Sequence, residues 1–397
     1  MQRWPRRLRA LWPRRGRCFS CRSSPERFSV RCGSAGHVTV DLFNRPEGSP
    51  ESALLLHIPP FPCSDGAAAS LPEFLQHLPV ASINYRWGPT SLVAGHEEGM
   101  IPRPFLWPTP IHDVAIAYAW LVEKLAPPGN SRRNIYVYGS HLGASLATSL
   151  SLTEAHTHAR FGIRGLVTYN GIYNWTMFLP DHRVNKRQKK GQAIIPPPQP
   201  AEGSHLHNLQ QEMPRLFEDP SQLFDSFASP SLFFHSPGLH VPRSFSMSTE
   251  DTARIDALAA GEEIADSSLM MKAPRKSHMI FPPRSSTLKI PETLLLHDSD
   301  PLALVPLKTK SGRAAKRARA KGNTFGAQAE ELAELMRRSI EVVELKQRRK
   351  WDEDMHFKED EARRRVQVVD VGSETASTNL GVDGRDVATA WLQHRLS

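Results

Sequence analysis

Gly139-Ser140-His141-Leu142-Gly143 is the stretch on which the fold of this 397-residue chain turns. It follows a short run of β-branched and aromatic residues, Ile135-Tyr136-Val137-Tyr138, which favours a strand. It opens an apolar run from Ala144 to Leu152, which favours a helix. A strand, a five-residue turn bounded by glycines and a helix present the middle residue of the turn on a sharp bend. That middle residue is His141.

Outward from the turn, the chain alternates between strand and helix patterns. His37 to Leu42 alternates apolar and polar residues, Ala53 to Leu56 is a buried strand running into His57-Ile58-Pro59-Pro60, and Val80 to Arg86 is a third strand. A helix is expected from Ile111 to Leu125, with Val114, Ala117, Tyr118 and Leu121 at spacings of three and four. Ile163 to Tyr169 follows as a strand. This alternation argues for a mostly parallel sheet flanked by helices. Residues 176–287 interrupt it with Pro, Ser, Lys and His, and are expected to form an insertion or lid, partly disordered. Leu223 to Phe234 is its one apolar segment. Regularity returns at Thr293 to His297, then a helix over 328–351, a strand over 365–371 and a closing helix over 387–394.

Composition narrows the function classes. Hydrophobic residues make up 40% of the chain, enough for one large core. No run of about 18 apolar residues exists, so no membrane span is expected. The net charge is +9, but residues 1–31 hold ten arginines and one acid, Glu26, leaving 40 basic and 40 acidic residues elsewhere. The basicity is therefore a property of the N-terminal segment. Arg-rich and acid-poor, that segment reads as a mitochondrial targeting signal, with a basic tail on a cytoplasmic protein as the alternative. Cys18-x-x-Cys21 has zinc-ligand spacing but lacks a second ligand pair. No metal and no cofactor are expected. The basic runs Lys186–Lys190 and Arg313–Lys321 carry no interleaved aromatics, which argues against nucleic acid.

The order of elements, the elbow frame 139–143 and Asp300-Pro301-Leu302 after a late strand together resemble the α/β-hydrolase fold, in its esterase and lipase branch. The resemblance covers 37–175 and 288–397. Asp113 and Ser229-Pro230 also look like features of that branch. Gly139 to Glu154 and Leu223 to Phe234 resemble an uncharacterised group of filamentous-fungal proteins. The resemblance implies a serine at the elbow, a histidine just after the last strand, an aspartate at 300 and an oxyanion loop at His57-Ile58-Pro59-Pro60. Here the elbow holds histidine, residues 372–377 contain no histidine, and the loop carries two prolines, which have no N–H to donate. Asp300 alone matches, and it reads equally well as a strand-end cap. His141 reads as a packed imidazole. Ser140 is the candidate for a relocated nucleophile, and Ser145 reads as a small packing residue.

The sequence therefore points to an α/β-hydrolase-like protein without working hydrolytic machinery, with a binding or assembly role. A protein partner or a small apolar ligand in the residual pocket would be its occupant. A carboxylic-ester hydrolase with an unorthodox site is one alternative, and a mitochondrial RNA- or ribosome-associated factor is another.

Overall fold

The computed structural model describes residues 25–33, 36–44, 52–63, 70–88, 104–179, 182–185, 188–190, 193–195, 200–235, 280–299, 322–346, 361–375 and 377–396. Ten strands are present among them: β1 Glu26–Arg31, β2 His37–Phe43, β3 Leu54–Ile58, β4 Val80–Asn84, β5 Arg133–Ser140, β6 Phe161–Tyr169, β7 Gln188–Lys190, β8 Ala193–Ile195, β9 Glu292–Ser299 and β10 Val366–Ser373. The principal helices are α1 Thr109–Leu125, α2 Leu142–Glu154, α3 His205–Leu216, α4 Phe325–Ser339 and α5 Val382–Leu396.

Eight strands form one sheet in the order β1-β2-β4-β3-β5-β6-β9-β10, and β7 with β8 make a separate hairpin. β2 runs antiparallel to both β1 and β4, and every other pairing in the large sheet is parallel. That order, with the β3/β4 exchange and an elbow after the central β5, is the α/β-hydrolase architecture expected from the sequence. Helices on both faces explain why β3 and β4 are buried at every position.

α2 is the central helix, buried from Leu142 to Leu152 despite its hydroxyls. Two back-bonds within the helix and one tertiary bond make this tolerable. Ser145 Oγ donates to Leu142 O at 2.8 Å, Thr148 Oγ1 to Ala144 O at 2.7 Å and Ser149 Oγ to Phe227 O at 2.7 Å. Ser145 is thus a packing residue.

Two elements were not read from the sequence. The sheet begins at Glu26, inside the stretch assigned to the N-terminal tail, because Arg27 and Phe28 are held by specific partners. Arg27 Nε donates to Asp41 Oδ1 at 2.7 Å, and Phe28 packs on Trp120 at 5.1 Å between ring centroids. The expected insertion contains an ordered helix, α3, capped by Ser204 and buried along Leu206, Leu209 and Leu216. Its polar His, Gln and Glu residues mask that stripe in the sequence.

Leu223 to Phe234 runs from the end of one 3-10 turn, Pro220–Phe224, through a second, Pro230–Phe234, with Leu223 and Phe234 each 2% exposed. It packs beside α2 and the 171–178 segment. Ser229 Oγ accepts from Trp175 N at 2.9 Å and donates to Leu223 O at 2.7 Å, and Tyr173 O accepts from Ser231 N at 3.0 Å. Ser229 and Asp113 are both structural. Asp113 accepts from Arg86 N, Nε and Nη2 at 3.0, 2.9 and 2.6 Å, joining β4 to α1.

α4 starts at Phe325 because Thr324 Oγ1 accepts from Ala327 N at 3.0 Å. It continues as a π-helical stretch over Ile340–Leu345. The basic run Arg313–Lys321, Cys18 and Cys21 lie outside the described residues, as do Lys186 and Arg187.

Candidate functional site

The elbow has the backbone of a nucleophile turn. His141 sits at φ 50°, ψ −117°, a region that β-substituted residues adopt only when their surroundings impose it. The two glycines are required by space. A Cβ on Gly139 would come within 2.6 Å of the Gly143 carbonyl oxygen, and one on Gly143 would overlap the Ile58 and Pro59 carbonyl oxygens. The turn, β3 and α2 therefore interlock at van der Waals distance.

The imidazole at the elbow is wholly buried, with 0% exposure. Its ring is enclosed by Phe61, Tyr169, His205 and Phe325, at centroid distances of 5.6, 5.7, 5.2 and 6.0 Å. Burial, with a smaller contribution from His205, pushes its pKa down to about 3, so the ring is neutral at pH 7.

His141 Nε2 lies 3.3 Å from His205 Nδ1. Glu374 Oε1 lies 3.2 Å from that same Nδ1 and accepts the His205 backbone N–H at 2.6 Å. The imidazole–imidazole contact pairs one ring N–H with one ring-nitrogen acceptor. The other ring nitrogen of His141, Nδ1, is buried and has no hydrogen-bond partner among the described residues.

The expected oxyanion loop is arranged the opposite way round. Leu142 N, the backbone donor that follows the elbow residue, donates to Pro60 O at 3.2 Å. Pro59 O accepts from the Tyr85 hydroxyl at 3.2 Å. The Pro60 carbonyl oxygen thus takes the donor that an anionic oxygen at this turn would need. His57 and Ile58 belong to β3, and the Ile58 carbonyl oxygen packs against Gly143 of the turn. His57 is fully buried in the sheet, with Nδ1 3.0 Å from Ser82 Oγ and its ring stacked on Tyr138 at 6.0 Å. Ile58 is a core residue with 0% exposure.

Ser140 is the other candidate at this turn. It ends β5, is 3% exposed, and its hydroxyl lies beside the buried Tyr138 phenol. Asp300 lies outside the described residues. A different acid, Asp298, closes β9. Its carboxylate accepts from the Tyr169 hydroxyl at 2.9 Å and from Asn170 Nδ2 at 2.8 Å, and its own N–H donates to Asn170 Oδ1 at 2.9 Å. Burial raises the pKa of Asp298, Tyr169 and Asn170 oppose that shift, and the charges of Glu374 and His205 act on it from nearby.

The structure therefore brings together His141, His205 and Glu374, of which sequence reasoning named only the first. His205 lies 64 residues from His141 and Glu374 a further 169 from His205. The signal available in the sequence was Glu374 standing in the stretch after the last strand, where the resemblance implied a histidine. Among the described residues, no group of three or more His, Cys, Asp or Glu is arranged to hold a metal ion. No described helix is long and apolar enough to cross a membrane.

No family model matches the chain, and no curated protein does. Among solved structures, it is similar to carboxyl esterase 2 of the mycorrhizal fungus Tuber melanosporum, at 13% identity over 97% of this chain and 89% of that one, with a TM-score of 0.49. It is also similar to a hyperthermophilic esterase from the archaeon Pyrobaculum calidifontis, at 12% identity over 94% and 82%, TM-score 0.47. A third likeness is to a fungal esterase from Rhizomucor miehei, at 12% identity over 94% and 84%, TM-score 0.45. At these values the likenesses carry nothing about activity, and the fold rests on the strand order and the elbow described above.

Proposed function

We propose that this chain is a non-hydrolytic α/β-hydrolase-fold protein with a binding or assembly role. The observation that carries the proposal is the elbow itself, where His141 fills the nucleophile position and the Leu142 amide already donates to Pro60 O. An acyl-transfer site needs a hydroxyl or thiol to attack and free donors for the oxygen that becomes charged. His141 supplies neither a hydroxyl nor a thiol at the elbow position, and the Leu142 amide is already taken. The four rings around His141 fill the space in front of the elbow as a core does. The N-terminal segment of ten arginines and one acid supports a mitochondrial setting for that role.

The second reading, a carboxylic-ester hydrolase with an unorthodox site, draws on one feature. His205 and Glu374 form an imidazole–carboxylate pair facing the elbow, in the manner of a general base and its orienting acid. The group this pair meets is another imidazole, so it has no hydroxyl to activate.

Turnover of short p-nitrophenyl esters by purified protein lacking residues 1–24 separates the two. The non-hydrolytic reading expects no rate above background. Hydrolysis that co-purifies with the protein and is abolished by His205→Ala would establish the second reading instead.

A further inference from the structure

We infer that His205 is a latch, holding the N-terminal end of α3 closed over the elbow, and that reagents or ligands reach His141 only when the Glu374 contact is released. This goes beyond the non-hydrolytic reading and does not rest on it, since the contacts would be the same in an active or an inactive protein.

The two ends of α3 are held differently. Its C-terminal end is anchored by apolar and indole contacts. Trp87 Nε1 donates to Leu216 O at 2.9 Å, as does Trp107 N at 3.1 Å, and the next residue, Phe217, packs edge-on against Trp87 and Trp175 at 5.6 and 5.2 Å. At the N-terminal end the contacts are polar: Ser204 Oγ accepts the His207 N–H within the helix's own cap, and the contact to the rest of the fold runs through one carboxylate. Glu374 takes the first helical N–H and faces the His205 side chain. That amide belongs to the first turn, where no intrahelical acceptor exists, and a negative charge there also opposes the positive end of the helix dipole. Through the same ring, His205 touches His141. A single side chain therefore joins the covering helix, the end of β10 and the elbow.

The latch is also the accessible part of the cluster. The His205 and Glu374 side chains are 14% and 22% exposed, whereas His141 is sealed behind them. Leu206 and Leu209, both buried, come away from the core if the end lifts, so the closed form is dominant. Losing a charge-assisted contact of this kind shifts such an opening equilibrium by about tenfold or more.

Diethylpyrocarbonate acts as the probe, with modification of each histidine followed by peptide mass spectrometry on the full chain. His141 is neutral at pH 7, so access alone limits its rate. In the wild-type protein, His141 is expected to stay unmodified while the exposed His77 and His158 react. Glu374→Gln is expected to raise the initial rate at His141 by about tenfold or more, with the rates at His77 and His158 unchanged. Reaction of wild-type His141 at the rate of His77 would overturn the latch, and so would an unchanged rate in a folded Glu374→Gln protein. If that variant does not fold, hydrogen exchange on the wild-type chain decides. The His205 amide should be protected although it starts a helix, and exchange as fast as an exposed loop amide would overturn the inference.

Discussion

The backbone N–H of Leu142 donates to the carbonyl oxygen of Pro60, and this one contact changes what the elbow can do. In an acyl-transfer site the amide after the nucleophile must be free for the oxygen that gains charge. Here a proline-rich loop, rigid because proline fixes φ, delivers an acceptor to it. Restoring the nucleophile alone should therefore restore nothing. His141→Ser is expected to show no p-nitrophenyl ester hydrolysis above the wild-type background. The serine oxygen is also shorter in reach than the imidazole Nε2 that meets His205. A rate rise of a hundredfold or more would show that the loop yields and that His205 serves as base.

Asp113 should be among the costliest single positions in the fold. It is 1% exposed and receives three donors from Arg86. Removing one partner of such a pair leaves the other charge without compensation. Asp113→Ala is expected to lower unfolding free energy by about 3 kcal/mol, measured by urea denaturation. A loss under about 1 kcal/mol, the scale of an exposed ion pair, would mean that solvent takes over the contact.

Two buried histidines make stability depend on pH in a defined direction. His57 and His141 are both pushed down to about 3, by burial above all, against about 6.5 in an unfolded chain. Between those values the unfolded state binds protons that the folded state refuses. Their contribution is complete above about pH 6.5, is lost as pH falls, and levels off near 3, with a slope of about 1.4 kcal/mol per pH unit for each histidine. Asp298, raised by burial, works in the other direction, so the comparison has to be between proteins. His57→Gln is expected to reduce the slope of unfolding free energy against pH between 4 and 6 by about 1.4 kcal/mol per unit. Parallel curves for the two proteins would place a proton on His57 in the folded state.

The N-terminal segment divides at β1. Deleting residues 1–31 removes the strand that pairs with β2, together with the Arg27–Asp41 contact, and is expected to lower the melting temperature by several degrees more than deleting residues 1–24. Equal melting temperatures would show that the edge strand contributes nothing to stability. As a fusion to a fluorescent reporter, residues 1–31 are expected to direct it to mitochondria. A diffuse cytosolic signal would favour the cytoplasmic alternative.

What the sequence made legible was whatever strong local patterns encode. The central β5–elbow–α2 unit could be read directly, because β-branched residues, two glycines and an apolar run stand in immediate succession. β3, β4, β6 and β9 were visible as short apolar runs. α3 was not, because Leu206, Leu209 and Leu216 are separated by His, Asn, Gln and Glu, and Pro214 stands within the helix. β1 was hidden by its arginines, of which Arg27 finds its partner, Asp41, only across the sheet. The site was only half legible. A histidine at the elbow is legible as a departure from the serine that the resemblance implies, but His205 and Glu374 meet it only through tertiary structure. The orientation of the Pro59 and Pro60 carbonyls is likewise a property of the folded turn.

The central claim is that this elbow holds no activated nucleophile, and covalent labelling tests it most directly. The full-length protein is incubated with a fluorophosphonate probe, which forms a stable adduct on activated serines, and its intact mass is then measured. The expected result is an unchanged mass after prolonged incubation with excess probe. A stoichiometric adduct on native protein, mapped to Ser140 or Ser145 and lost on prior heat denaturation, would contradict the account.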